Sequence, residues 1–325
     1  MNSKLMKTTM LLIALLMVLP LAACTPKAES YTIGVVSPAS SMELVLAGFK
    51  EGMAERGFVE GENVTYLYNG PLGPDAEKLE AETQIFVDME VDLILALATP
   101  GTRAVQKVTE GTGIPVAFTP ISDPLGAGFV ESLTRPGGNM SGVHNGGFTV
   151  KNLEWLLIID PGIEKIYAPY NPNDQSALFA RGLLLETAEK LGVEVITPEV
   201  VNPEGIPDVI AAMPDDIDAI FCMSDSMILS HVPDFAAAGI ERKIPVTAVS
   251  RAHVEAGALM GFGSEFNTVG RQTANVASQL LNGADPATLP VEESEYFLYI
   301  NQNTANAIDL ETPDVALNAA AGIIR

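Results

Sequence analysis

Cysteine occurs twice in this 325-residue chain, at Cys24 and Cys222, tryptophan once and histidine three times. The histidines, His144, His231 and His253, show no metal-ligand spacing and have no cysteine partner nearby, which argues against a zinc site. Basic residues are also few, with 18 Lys and Arg against 41 Asp and Glu, a formal charge of −23. No basic cluster is present, which excludes nucleic acid as a partner, because phosphate neutralisation needs one. Small anionic ligands remain open, since charge at a distance is screened within about 8 Å at physiological salt. No Gly-x-Ser-x-Gly elbow, Walker lysine loop or Gly-x-Gly-x-x-Gly fingerprint occurs. An enzyme would lack its nucleophile, its base and its cofactor loop, so neither catalysis nor a cofactor is expected.

The chain opens with Lys4 and Lys7, the apolar run Met10 to Val18, and Leu21-Ala22-Ala23-Cys24. A basic start, a short apolar core and small residues before a cut are the parts of a secretory signal. The run falls short of the roughly 20 apolar residues of a membrane-spanning helix. A cysteine directly after Leu-Ala-Ala resembles the bacterial lipobox, so residues 1–23 read as a signal peptide and Cys24 as a lipidated first mature residue. Two acyl chains anchor stably where one is marginal. Residues 24–30 read as a tether, which places the protein outside the cytoplasm, in the periplasm or on the outer face of the membrane. Lipidation of Cys24 leaves Cys222 as the sole thiol and no intramolecular disulfide. Loss of the two leader lysines takes the charge to −25.

About 300 mature residues suit two domains, and a 47% apolar content fills two cores. From Tyr31 short apolar runs alternate with amphipathic stretches, the rhythm of an α/β fold with parallel sheets. Strands are expected at Tyr31–Val36, Asn63–Tyr68, Asp92–Ala98 and Ile114–Phe118, with helices between them, one opening at Thr99-Pro100-Gly101. The rhythm restarts after Gly146-Gly147 with strands at Lys165–Pro169, Glu194–Thr197, Asp218–Met223 and Pro245–Val249, and a single helix over Ser226–Ala238. Each half has the makings of an open parallel sheet, whose ligands bind beyond the carboxyl ends of the strands.

Those ends carry small polar residues. They are Ser37, Ser40 and Ser41 after the first strand, then Thr99, Pro100 and Thr102, then Thr119 and Ser122. The second half adds Tyr170 and Asn171, Ser224 and Asp225, and Ser250. Hydroxyls and unpaired N–H groups at helix starts suit a carboxylate, and Asp225 suits an ammonium, which together describe a receptor for a zwitterion. Each residue taken singly is as well explained as a helix cap, Asp123 and Asp174 above all.

The run Ile121-Ser122-Asp123-Pro124-Leu125-Gly126-Ala127-Gly128-Phe129-Val130, continued by Arg135-Pro136-Gly137-Gly138-Asn139-Met140-Ser141-Gly142-Val143, is similar to ABC transporter substrate-binding proteins, the family that includes tryptophan- and tyrosine-binding receptors. Gly48-Phe49, Gly61-Glu62-Asn63-Val64, Thr99-Pro100 and Gly270-Arg271-Gln272-Thr273 extend the resemblance over the mature chain. It implies a type 1 periplasmic-binding fold, two lobes joined by three crossovers: 31–145 plus 259–285, and 146–258 plus 286–325. It further implies a monomer that closes around a small ligand, an amino acid and possibly an aromatic one, and presents it to an ABC permease in the membrane. Thr99, Thr102 and Ser122 would then hold a carboxylate, Asp225 an ammonium, and Tyr170 or Phe148 the side chain. Two departures stand out. The family's His-Pro-Ala-Leu-Asp loop is here Ser37-Pro38-Ala39-Ser40-Ser41-Met42-Glu43, and its Thr-Asp-Asn is Ser224-Asp225-Ser226, which keeps the acid. A sensory receptor for a membrane signalling partner, or a receptor for an ion or another small solute, are the alternatives.

Overall fold

The computed structural model describes residues 30–325, so the leader, Cys24 and nearly all of the tether lie outside the described residues. The chain runs β1 (Tyr31–Val36), α1 (Glu43–Glu55), β2 (Val64–Leu67), α2 (Ala76–Asp88), β3 (Leu93–Leu97), α3 (Ala98–Thr109), β4 (Val116–Ile121) and β5 (Met140–His144). It continues with α4 (Phe148–Ile159), β6 (Lys165–Tyr167), α5 (Gln175–Leu191), β7 (Glu194–Ile196), α6 (Ile206–Ala211), β8 (Ala219–Phe221), α7 (Ser226–Ser230), α8 (Val232–Arg242) and β9 (Val246–Ala248). The last part holds α9 (Arg251–Glu255), β10 (Met260–Gly263), α10 (Phe266–Leu281), β11 (Glu292–Glu293), β12 (Phe297–Asn301), α11 (Gln302–Ala307), α12 (Asp314–Ala319) and β13 (Gly322–Ile324). Among the described residues no helix is long and apolar enough to cross a membrane.

Two sheets result. The first has the order β11-β5-β4-β3-β1-β2 and the second β13-β12-β10-β9-β8-β6-β7. Every pairing is parallel except β10 with β12. Both sheets share one winding, in which the second strand lies outside the first and the third inside it, so each has a switch point between its first and third strands. β3 sits at the centre of its sheet and is buried along its whole length, which is why it reads as an uninterrupted apolar run. One face of the first sheet buries Phe49 of α1 and Val269 of α10, the other Phe86 of α2 and Val105 of α3. In the second sheet Leu156 of α4 and Leu184 of α5 pack on one face, and Val209 of α6 and Phe235 of α8 on the other.

Strand pairing moves two expected boundaries. β10, placed with the first lobe by a division at residue 259, pairs with β9 and β12 in the second sheet. β11, placed with the second lobe, pairs with β5 in the first. The expected helix Ser226–Ala238 is two helices broken at His231, because Pro233 in the first turn of α8 has no N–H to continue a ladder. β5, β10, β11 and the closing β13 are not among the expected strands, and β11 and β13 are only two and three residues long.

The chain crosses between the sheets after β5, after β10 and after β11, and the three crossings touch. Ser294 N–H donates to His144 C=O at 2.8 Å, and the Ser264 and Ser294 hydroxyls lie 2.6 Å apart. Gly147 N–H donates to the Tyr296 hydroxyl at 3.1 Å, and that hydroxyl donates to Glu293 Oε1 at 3.0 Å. Phe148 and Phe262 cover the Tyr296 ring, with centroids 6.0 and 5.8 Å away. Phe148, expected against a ligand, is thus buried in this joint.

Candidate functional site

α3 starts directly from β3 with no loop, and the price in backbone conformation falls on Ala98, whose φ is +55°. Non-glycine residues in the left-handed region are strained by about 1–3 kcal/mol and cluster where function fixes the backbone. The sharp turn aims the free N–H groups of the first turn of α3 beyond the end of the sheet, beside Thr99. Gly101 lets this turn approach β1, since a Cβ there would sit 3.2 Å from Val36 C=O.

Opposite stands the first turn of α5, capped by Asp174, whose Oδ1 accepts Ser176 N–H at 2.8 Å and Ala177 N–H at 3.3 Å. Between the two helix starts lies a cleft of about 240 Å³. Thr99, Ser122, Asp123 and Ala127 line it from the first sheet's side, and Gln175, Ser176, Leu178 and Phe179 from the second's. Three straps hold the 122–129 loop against α3: Arg103 donates to Ala127 C=O at 3.2 Å and lies over the Phe129 ring, and Gln106 donates to Gly128 C=O at 2.7 Å. Asp123 Oδ1 accepts Gly126 N–H at 2.7 Å within the same loop. One wall is therefore hydroxyl, N–H and carboxylate, and the facing wall sets Leu178 and Phe179 beside Gln175 and Ser176, with Leu178 45% exposed towards solvent.

Of the residues expected at the site, Thr99 and Ser122 line this cleft. Ser40 and Ser41 form an exposed turn ahead of α1, and Pro100 is exposed in the first turn of α3. Ser37 is buried, its hydroxyl donating to Ala39 C=O at 3.2 Å and its carbonyl accepting Leu72 N–H. Thr102 is fully buried and donates to Ala98 C=O at 2.9 Å, bracing the strained turn from behind. Thr119 is fully buried in β4, its hydroxyl without a hydrogen-bond partner. Ser224 is half-buried after β8, and the Ser250 hydroxyl lies 2.9 Å from His253 Nδ1. Tyr170 is buried, its hydroxyl donating to Glu199 at 2.9 Å and its ring covered by the Arg181 guanidinium, so neither end is open to a ligand.

Asp225, expected to meet an ammonium, is 1% exposed. Its Oδ1 accepts Met227 N–H and Ile228 N–H at 3.0 Å each, and its Oδ2 accepts Asn171 N–H at 2.5 Å. Asp174 Oδ2 in turn accepts Ser226 N–H at 3.3 Å. The two aspartates cross-tie the loops after β6 and β8, each capping its own helix while holding the other loop. Burial pushes the Asp225 carboxyl above its ordinary range against the pull of three N–H groups, and the Asp174 charge adds to the rise. The carboxylate that does line the cleft is Asp123, which the capping reading had set aside. Gln175, Leu178 and Phe179 escaped sequence reading because they sit on a helix face at 0, 3 and 4 spacing and not in a strand-end loop.

The comparisons with known proteins converge on one group. The family model for ABC transporter substrate binding proteins matches residues 32–324. A tyrosine-binding protein of Clostridioides difficile (strain R20291) is 28% identical over 274 residues, 83% of this chain and 78% of that one. A Streptococcus pneumonia ABC domain solved in complex with L-Trp is 27% identical with a TM-score of 0.78, covering 91% of this chain and all of that chain. The ligand-free, open structure of a Clostridium difficile substrate binding protein with adhesive properties has 27% identity and a TM-score of 0.77, covering 90% of this chain and 99% of that one.

Proposed function

The chain belongs to the ABC transporter substrate binding protein family, and from that premise we propose that it receives an aromatic amino acid, tyrosine or tryptophan, between its two lobes. As a family member it is a solute-binding protein and not an enzyme, and it works outside the cytoplasm. One observation carries the ligand assignment: a cleft with a polar, strapped wall on one lobe and, on the other, Leu178 and Phe179 beside the polar Gln175 and Ser176. Thr99, Ser122 and the first N–H groups of α3 suit the ligand carboxylate, where the helix dipole favours negative charge. Asp123 suits the ammonium, and Phe179 with Leu178 suits the ring, an arrangement worth about 0.5–1.5 kcal/mol beyond area burial for an aromatic pair. The tyrosine-binding and L-Trp-bound relatives support the same reading.

Closure follows from contacts to both lobes, because a ligand shifts a conformational equilibrium only by what it gains in one state over the other. Asp225 then belongs to the second-lobe scaffold that presents the start of α5. A lipid at Cys24 keeps the monomeric receptor within reach of an ABC permease, to which it delivers its load. A thermal-shift screen of the mature chain against the twenty amino acids tests the ligand. At a hundred times its dissociation constant a true ligand adds about 2.7 kcal/mol of stability. L-tyrosine or L-tryptophan should raise the melting temperature, whereas a shift by an aliphatic amino acid alone would refute the aromatic assignment. Cys24→Ala should move the protein out of the membrane fraction without altering ligand affinity.

A further inference from the structure

His144 ends β5 and lies at the first crossing, half-buried, and neither ring nitrogen has a hydrogen-bond partner. Its backbone is held on both sides: it is in register with Ile121 of β4 and Glu293 of β11, and its carbonyl accepts Ser294 N–H. Two residues beyond Ile121 stands Asp123, on the wall of the cleft. An imidazole without a hydrogen bond is thereby held at the joint within electrostatic reach of Asp123 of the ligand site and Glu293 of the joint. We propose that a proton on His144 releases the ligand by drawing Asp123 away from the ligand ammonium. This rests on the aromatic amino acid reading above and adds a control to it.

The charged groups that act on the ring are both acidic, Asp123 and Glu293. Asp123 comes from the loop after β4 and Glu293 from β11, with Tyr296 of the third crossing bound to Glu293, while Glu292, in register with Val143, turns to the opposite face. Glu292 is occupied by Gln272 at 3.1 Å and Asn275 at 2.9 Å, both on α10. Glu293 is shared with the Tyr296 hydroxyl, and burial pushes that phenol well above its ordinary range, so it stays a donor. None of these groups supplies a positive charge. Burial lowers the imidazole below its ordinary value, while Glu293 and Asp123 oppose that shift. The ring is therefore neutral at pH 7 and leaves Asp123 to the ligand. Once protonated it is a double donor placed among carboxylates, and Asp123 is the one not already engaged by a side chain. An ion pair formed there competes with the ammonium, and linkage requires that the ligand in turn disfavour protonation.

Calorimetric titration with L-tyrosine and L-tryptophan at pH 7 and pH 5 tests this, since an amino acid keeps both charges over that range. Affinity of the unaltered protein should fall about five- to tenfold at pH 5, within the usual range of site-to-site coupling. H144Q should bind as tightly at pH 5 as at pH 7, and H253Q, which alters a half-buried histidine of the second lobe, should keep the full dependence. A dependence that survives in H144Q overturns the proposal, as does its absence in the unaltered protein. A ligand-free measurement separates this from the ligand assignment: the His144 ring followed by NMR should titrate at lower pH in D123N than in the unaltered protein. An unmoved titration overturns the coupling whatever the ligand is. Failure of both amino acids to bind at pH 7 overturns the ligand assignment, and the NMR result then decides the coupling.

Discussion

Asp225→Ala and Asp123→Asn should separate scaffold from ligand contact, with the first costing stability and the second affinity. Asp225→Ala removes the cap of α7, which costs about 0.5–2 kcal/mol. It also strips the N–H of the half-buried Asn171 of the buried carboxylate that accepts it, and a donor left unmet costs up to about 1–3 kcal/mol. Together these give about 1.5–5 kcal/mol, a large fraction of the stability of an ordinary domain. Asp123→Asn keeps an oxygen for Gly126 N–H and so leaves its loop intact. It exchanges a charge-assisted bond to the ligand for a neutral one, and hydrogen bonds to charged groups contribute about 1.5–3 kcal/mol, or roughly 10- to 150-fold in affinity. Urea unfolding followed by circular dichroism reads the first effect as a lowered midpoint at unchanged slope, and calorimetry with L-tyrosine reads the second. The assignment is refuted if Asp225→Ala leaves the unfolding midpoint in place while abolishing binding, because Asp225 would then be spending its charge on the ligand.

Three further outcomes are expected. Gly270→Ala should destabilise the protein by about 1–3 kcal/mol in urea unfolding despite alanine's better helix propensity, because its Cβ would lie 2.0 Å from Val45 C=O where α10 crosses α1. Phe179→Ala should weaken L-tryptophan binding by about 1–3 kcal/mol in calorimetry, with a smaller loss for alanine as ligand. His144 and His253 are both lowered by burial, so the unfolded chain takes up protons before the folded one as pH falls. Their contribution is complete above the ordinary histidine value of about 6.5 and is lost as pH drops from there towards their depressed folded values. The H144Q H253Q double variant should lose less stability between pH 7 and pH 5 than the unaltered protein, measured by urea midpoints.

Periodicity made the parallel α/β class legible, because each central strand is buried on both faces and each flanking helix on one. β3 and α5 fall close to where their sequences place them: the first is a closed apolar run, and the second is bracketed by Asp174 and by Gly192 at φ 75°. β11 is a two-residue strand whose partner lies about 150 residues earlier, and no local pattern encodes such a pairing. The site was legible as a place but only in part as residues. Strand ends located the cleft and supplied Thr99 and Ser122, yet small polar residues cap, brace and bind with the same chemistry. Thr102 braces, Asp225 ties, and Asp123 faces the cleft, and only the direction of each side chain separates those roles.

The pairing of β11 with β5 has a consequence for how the protein is made. β5 is complete when residue 144 has left the ribosome, but its outer edge stays uncovered until Glu292–Glu293 follow, as does the face of α1 that α10 covers. At about 5–20 residues per second the intervening stretch of roughly 150 residues takes about 7 to 30 s to synthesise. The first-made lobe therefore stays unfinished until most of the second has been made. Throughout that interval the nascent chain carries an open strand edge and an apolar helix face, the two kinds of surface that make an unfinished protein prone to aggregate and dependent on chaperones.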